Sequence, residues 1–316
     1  MQSNDVTFNQ IKLGLCCINL ELSTQKNPIT CNRSLIRRTF TVDKAKEKAI
    51  ANVKDIIPLI EWNVKNNIHH LRLSSDMFPH FTDEETEEYT MDFCKEYLQQ
   101  AGDYAKSVNH RLTMHPGQFN QVGAKSQKVF EKTIRDLGMH ADILDNMGLS
   151  DDAILCVHGG GTYGDKEATI RRWVDQFDDL PRKIKKRLAI ENCEKCYSLR
   201  DCLDIAEQTK IPVIYDNHHY NCYCQLHQDE LHEDIEELIP EVVDSWKKTN
   251  RVPVFHLSEQ SPSKKVGAHS DYIDVIPEHM LNIPDLYDTD LHIEVEAKMK
   301  EKAILKLMKK YKNVFD

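Results

Sequence analysis

Short apolar, β-branched runs alternate along the chain with longer amphipathic, charged stretches. The runs are "IKLGLCCI" (11–18), "HHLRLSS" (69–75), "RLTMH" (111–115), "AILCVH" (153–158), "RLAIEN" (187–192), "IPVIYD" (211–216), "VPVFHLS" (252–258) and "DLHIEVE" (290–296). Runs of that length, bounded by polar punctuation, predict buried strands. Between them, 43–65, 84–108, 126–147, 166–178, 198–209, 230–248 and 297–311 carry the helical pattern. Strand alternating with helix implies parallel strands joined by crossover helices. Eight such units predict the α/β class and a single (β/α)8 TIM barrel over 1–316, with 1–10 a flexible N-terminal segment. The competing architecture is an open doubly wound sheet with a dinucleotide turn. "HGGGTYG" at 158–164 is glycine-rich but lacks that spacing.

The last residues of the strand candidates are where chemistry collects. They are His115, His158, Glu191, Asp216 and His256, with Glu294 and Glu296 on the final strand; His219 and His269 follow in loops. In a barrel the C-terminal strand ends converge on one mouth. Imidazoles and carboxylates together are ligands for a divalent transition ion. There are more here than one ion needs, so two or three ions are expected. Clustered ions suit phosphodiester hydrolysis by activating water and neutralising the attacking and leaving oxygens. Any one of these histidines, taken alone, is more simply a surface or satisfied core residue. As a set, buried acids and imidazoles without partners would cost several kcal/mol. After His115, the Pro116-Gly117 break leads to an amide and a ring, Gln118 and Phe119.

Composition narrows the class. The chain has 316 residues, 40% hydrophobic and 29% charged, with a formal net charge of -10. That balance argues against a nonspecific nucleic-acid binder, although carboxylates that hold metals lose their negative field locally. Basic runs such as "RKIKKR" (182–187) read as solvated faces. Ten cysteines at irregular spacing and a polar N-terminus predict a soluble, intracellular protein from a reducing compartment. No apolar run is long enough for a membrane span. Cys193 and Cys196 have redox or zinc spacing, with Cys222 and Cys224 nearby. A zinc site would need a second well-spaced pair, and ordinary reduced thiols are the plainer reading.

The chain also resembles a known family. "MHPGQF", "HGGGTYGDKEATIRRW", "AIEN", "DNHH", "FHLSEQ…VGAHSDY" and "EAKMKEKA" occur in the order and spacing of the UV-damage endonucleases, among the endonuclease IV-like and xylose isomerase-like barrels. The resemblance implies a metal-dependent nuclease that cuts damaged double-stranded DNA just 5′ of UV photoproducts, as a monomer. It implies His115, His158, Glu191, Asp216, His219, His256, His269 and Glu296 as metal ligands, with Glu191, Asp216, Glu296 and His158 at the reacting phosphate. Glu296 is preferred to Glu294 because it directly precedes Ala-Lys. Mn2+ is the expected ion, with Zn2+, Mg2+ or Co2+ as alternatives. Gln118 and Phe119 fall where the family presents an amide and a ring, usually tyrosine, to the distorted base step. The other reading of Phe119 is a core residue capped under the loop. Asn19 is expected near the lesion, and Lys298, Lys300 and Arg33 (with Arg37 and Arg38) near phosphates. Three departures stand out. Val254 occupies the family's modifiable lysine, and Leu15 replaces a second probing ring. Asp83 takes the place of a ligand histidine, with His80 close by and a helix N-cap before "EETEEY" as the structural alternative. The rival functions are an abasic-site endonuclease, a sugar isomerase and an inactive damage-binding protein.

Overall fold

The structure, a computed structural model, describes residues 10–315. The expected flexible segment 1–10 therefore lies outside the described residues except for Gln10. The eight strands are β1 (Ile11–Cys16), β2 (His70–Leu73), β3 (Arg111–Met114), β4 (Leu155–His158), β5 (Leu188–Glu191), β6 (Val213–Ile214), β7 (Val254–Leu257) and β8 (Leu291–Val295). They form one parallel sheet in the order β6-β5-β4-β3-β2-β1-β8-β7. The two ends of this order meet at a seam, where Asp216 bridges His256 in parallel and the His256 N–H donates to Tyr215 O at 2.9 Å. The sheet is a nearly closed barrel, as the alternation predicts. Nearly every strand residue is buried, because side chains on one face fill the barrel and those on the other meet the helices.

The helices differ from the periodic stretches in instructive places. The 43–65 stretch splits into Val42–Lys54 and Ile56–Lys65. Pro58 has no N–H to offer the Lys54 carbonyl, and its ring crowds that oxygen, which favours the break at Asp55. The 84–108 stretch is helical only over Lys95–Ser107, after a short 3-10 turn at Asp92–Cys94. Local side-chain bonds hold the preceding residues in turns: Asp83 accepts from Glu85 N, and Thr86 Oγ1 donates to Asp83 O. Tyr89 then buries its ring and donates to Pro79 O. The stretch 230–248 begins as a helix only at Ile235, capped by Asp234. The helix Asn217–Leu226 is absent from the periodic pattern, since "NHHYNCYCQL" is made largely of weak helix formers. Asp216 nucleates it by accepting from His219 N at 2.7 Å. One helix start thus coincides with one strand end.

Ion pairs close the end of the barrel opposite the mouth. Lys12 meets Asp290 at 2.6 Å and Arg111 meets Asp152 at 2.7 Å. Arg187, fully buried, donates to the Asp145 carboxylate and to the carbonyls of Leu149, Ser150 and Ala153. Among the described residues, no helix is long and apolar enough to cross a membrane.

Candidate metal centre

A cavity of about 470 Å³ opens at the C-terminal ends of the strands. His115, Gln118, His158, Glu191, His219, His269, Glu296 and Arg72 line it. Asp216 and His256 lie just beneath, each fully buried. Glu191 is the hub. Its Oε2 is 2.8 Å from His115 Nε2 and 3.5 Å from His158 Nε2. Its Oε1 is 2.9 Å from His256 Nδ1 and 3.3 Å from His219 Nδ1. Asn192, the next residue, pins the seam by accepting from Asp216 N at 2.9 Å and donating to Asp216 O at 3.1 Å. Its own carbonyl lies 3.0 Å from His219 Nδ1. His269 Nδ1 is 2.9 Å from Glu296 O and 3.7 Å from Glu296 Oε2. All eight residues expected as ligands are therefore brought together, from strand ends, the first turn of the helix Asn217–Leu226 and the loop after β7.

Their electrostatics follow from burial among opposite and like charges. Burial alone would raise the Glu191 carboxyl, but His256, His158, His115 and His219 outweigh it and hold the group well below the usual carboxylate range. Asp216 is pushed up by burial, with Glu191 and Glu296 adding repulsion. Burial lowers His158 to about 4. The site satisfies the chemistry of a metal centre on one further observation. Asp216 Oδ2 and His158 Nδ1 are buried without a hydrogen-bond partner, whereas most buried polar atoms in folded proteins have one; His256 Nε2 faces Glu294 Oε2 at 3.1 Å. Two donor groups, His115/Cys156/Glu191/His256 and His158/Glu191/His219, each converge within 4.8 Å and share Glu191. These two groups are the residues that would hold divalent ions.

The strand pattern leaves Glu294 and Glu296 on one face, and depth separates them. The Glu294 side chain is 2% exposed and engages His70, Thr113 and Arg72, whereas Glu296 is 13% exposed and reaches the cavity. Arg72, missed in the sequence, bonds both carboxylates. Its alternation with His70 on β2 is the signal that could have found it.

Above the cavity, Pro116 and Gly117 turn the chain, and Gln118 and Phe119 are exposed, the ring at 65%. This removes the reading of Phe119 as a buried cap. A Cβ at Gly117 would lie 2.5 Å from that ring, so glycine is what lets it fold back over the turn. Asn120 donates to Gly117 O at 3.0 Å and to the buried Asp136 at 2.8 Å, anchoring the turn on the helix Gln127–Asn146.

Several expectations need correction. Asp83 and His80 line a neighbouring cavity, not this one. Asp83 Oδ2 is engaged by Arg37 at 2.9 Å and by His80 at 3.0 Å, and no helix starts there. Neither joins the metal cluster, and Asp83 caps a turn rather than a helix. Asn19 is fully buried and caps the helix Leu20–Ser23, so it offers nothing to DNA. Arg33 braces its own loop through Asp55 and the carbonyls of Pro28 and Thr30. Leu15 is fully buried in the core and cannot stand in for a probing ring. Val254, also fully buried, has no donor atom. Lys298 remains exposed beside the last strand, 3.9 Å from Asp271.

Residues 11–316 match the profile of the family described as UV-endonuclease UvdE. A protein of Acanthamoeba polyphaga mimivirus, provisionally named a UV-damage endonuclease, is 36% identical over 310 residues, covering 96% of this chain and 92% of its own. The UV-damage endonuclease of Schizosaccharomyces pombe is 33% identical; the match covers 95% of this chain but only 50% of that protein. The crystal structure of SacUVDE superposes with a TM-score of 0.84 at 29% identity, covering 96% of this chain and 99% of that one. Endonuclease IV from Thermus thermophilus, at TM-score 0.57 and 13% identity, shares the fold over 96% of this chain and 99% of its own.

Proposed function

Because the chain belongs to the UV-endonuclease UvdE family, we propose that it nicks damaged double-stranded DNA immediately 5′ of UV photoproducts, leaving 3′-hydroxyl and 5′-phosphate ends. The observation that carries this reading is the convergence of five histidines and three carboxylates beneath an exposed amide and ring. His115, His158, Glu191, Asp216, His219, His256, His269 and Glu296 hold two or three divalent ions, Mn2+ foremost. Such ions supply Lewis acidity to a phosphodiester and its leaving oxygen.

The protein's own groups position the substrate. Phe119 enters the duplex at the lesion and replaces the stacking that damage has already weakened. Gln118 hydrogen-bonds the exposed base edges. The anchor from Asn120 to Asp136 keeps this wedge stiff, so little ordering entropy is lost on binding. Glu191, Asp216, Glu296 and His158 lie nearest the reacting phosphate and would orient it through the ions they hold, with Asp216 acting from beneath the cavity. Lys298 and Lys300 neutralise flanking phosphates. The partner is damaged duplex DNA, and the chain acts as a monomer.

The test is a nicking assay on a labelled duplex with one defined thymine dimer, beside its undamaged twin. Incubation with Mn2+ should cut just 5′ of the dimer, and chelator should abolish the cut. A folded, metal-loaded protein that leaves the dimer duplex intact would overturn the reading. Cutting only at abasic sites would reassign the substrate.

A further inference from the structure

Cys156 stands on β4 two residues before His158, so alternation points both side chains into the barrel. It is 1% exposed, and its Sγ lies 3.1 Å from Glu191 Oε2. That carboxylate oxygen is also 2.8 Å from His115 Nε2, while the other is 2.9 Å from His256 Nδ1. Sulfur, carboxylate and two imidazole nitrogens therefore all fall within 4.8 Å of one another. Bond lengths of about 2.0–2.3 Å around a tetrahedral ion place its ligands roughly 3.3–3.8 Å apart. Small side-chain movements would bring these four atoms to that spacing. On β7, Val254 stands likewise two residues before an inward histidine and offers no donor. Cys156 is the sulfur that the structure places among these nitrogen and oxygen donors.

We propose that Cys156 is a thiolate ligand of the ion held by His115, Glu191 and His256. One position of the centre then favours a borderline-soft ion, Zn2+ or Co2+, over Mn2+. The reason is donor softness: thiolate selects softer ions, whereas an all-oxygen and imidazole set does not exclude Mn2+. On binding, the S–H bond breaks, the sulfur–metal bond forms, and the proton leaves to solvent. The inference rests on the reading that the barrel mouth holds divalent ions, and it adds a ligand and a selectivity to that reading. The competing role for this thiol is to donate a hydrogen bond that orients Glu191. A serine would fill that role equally well, which separates the two.

The experiment uses the full chain, stripped with chelator and reloaded with Co2+, with bound metal measured directly. We expect a sulfur-to-cobalt charge-transfer band in the near ultraviolet. It should vanish in Cys156→Ser and survive in the Cys193→Ser/Cys196→Ser double variant. The preference for Zn2+ over Mn2+ should fall at least about tenfold in Cys156→Ser. Cys156→Val, which copies the side chain found at 254, replaces the serine variant if circular dichroism shows that the latter does not fold. Bound cobalt with no such band in the unaltered protein would overturn the inference and leave the metal centre standing. A band that persists in a folded Cys156 variant would do the same. A chain that takes up no cobalt at all would overturn both.

Discussion

Phe119 and Asp216 show how a single side chain divides structural from functional roles. Phe119 is exposed and packs chiefly on its own turn, so Phe119→Ala should leave thermal stability nearly unchanged. Loss of one stacking ring should weaken binding to a dimer-containing duplex by about 1–3 kcal/mol, with little effect on the undamaged twin. Fluorescence anisotropy on the two duplexes would measure this, and equal losses on both would remove the wedge role. Asp216 presents the opposite balance. Its carboxyl is buried beside Glu191 and Glu296, and burial pushes its pKa up. An asparagine keeps the capping oxygen for His219 N and removes the charge. Asp216→Asn should therefore melt at the same or a higher temperature than the unaltered protein in chelator. It should gain much less on adding Mn2+, because ligand-linked stabilisation depends on affinity. Paired melts with and without metal test this.

The seam between β6 and β7 is the weak join of the barrel, a single bridge at Asp216 and His256. Asn192 reinforces it with two hydrogen bonds to the Asp216 backbone. Asn192→Ala leaves a buried N–H and a carbonyl unpaired, which costs roughly 1–3 kcal/mol. The same change frees Asp216 to shift, while the main-chain carbonyl of residue 192 still faces His219, so metal affinity should fall together with the denaturation midpoint. A loss of stability with metal affinity untouched would show that the seam and the centre are independent. The wedge turn behaves similarly on a smaller scale. Asp136 holds Asn120 and Thr82 together, tying the 115–125 loop to the loop after β2.

Across the barrel, charge and pH act at opposite ends. Near the end away from the mouth, burial pushes His110 down to about 3, and His292 is also held well below the usual imidazole range, by burial and then by Arg111. Their folded pKa values are depressed, so both are neutral in the native state and take up protons on unfolding. Their contribution to stability is present above the unfolded value of 6.5 and is lost as pH falls from there toward about 3. Urea midpoints measured in chelator should decline steadily below pH 6.5, and His110→Gln should flatten that decline. At the mouth, DNA binding should weaken steeply with salt despite the net charge of -10, because phosphate contacts release counterions. A salt-independent affinity for damaged duplex would contradict the phosphate roles of Lys298 and Lys300.

The alternation of strand and helix and the polar residues at the strand ends were legible in the sequence, because both are local patterns set by backbone periodicity and solvent exclusion. His115, His158, Glu191, Asp216 and His256 could be read as one site once the barrel was inferred. Where periodicity and local chemistry competed, the sequence misled: Pro58 broke one predicted helix, and turn-forming side chains erased half of another. What the tertiary structure decided depends on register and depth, which no local pattern encodes. Glu296 and Glu294 share a face, and only the closed barrel puts the first in the cavity and the second beneath it. Arg72, Cys156 and Asn192 join the centre because distant strands place them there. Asp83, His80 and Arg33 leave it because nearer partners claim their polar atoms first, and Asn19 because it is fully buried. A polar side chain takes the partner that folding brings within hydrogen-bond reach, and that reach is a property of three-dimensional packing.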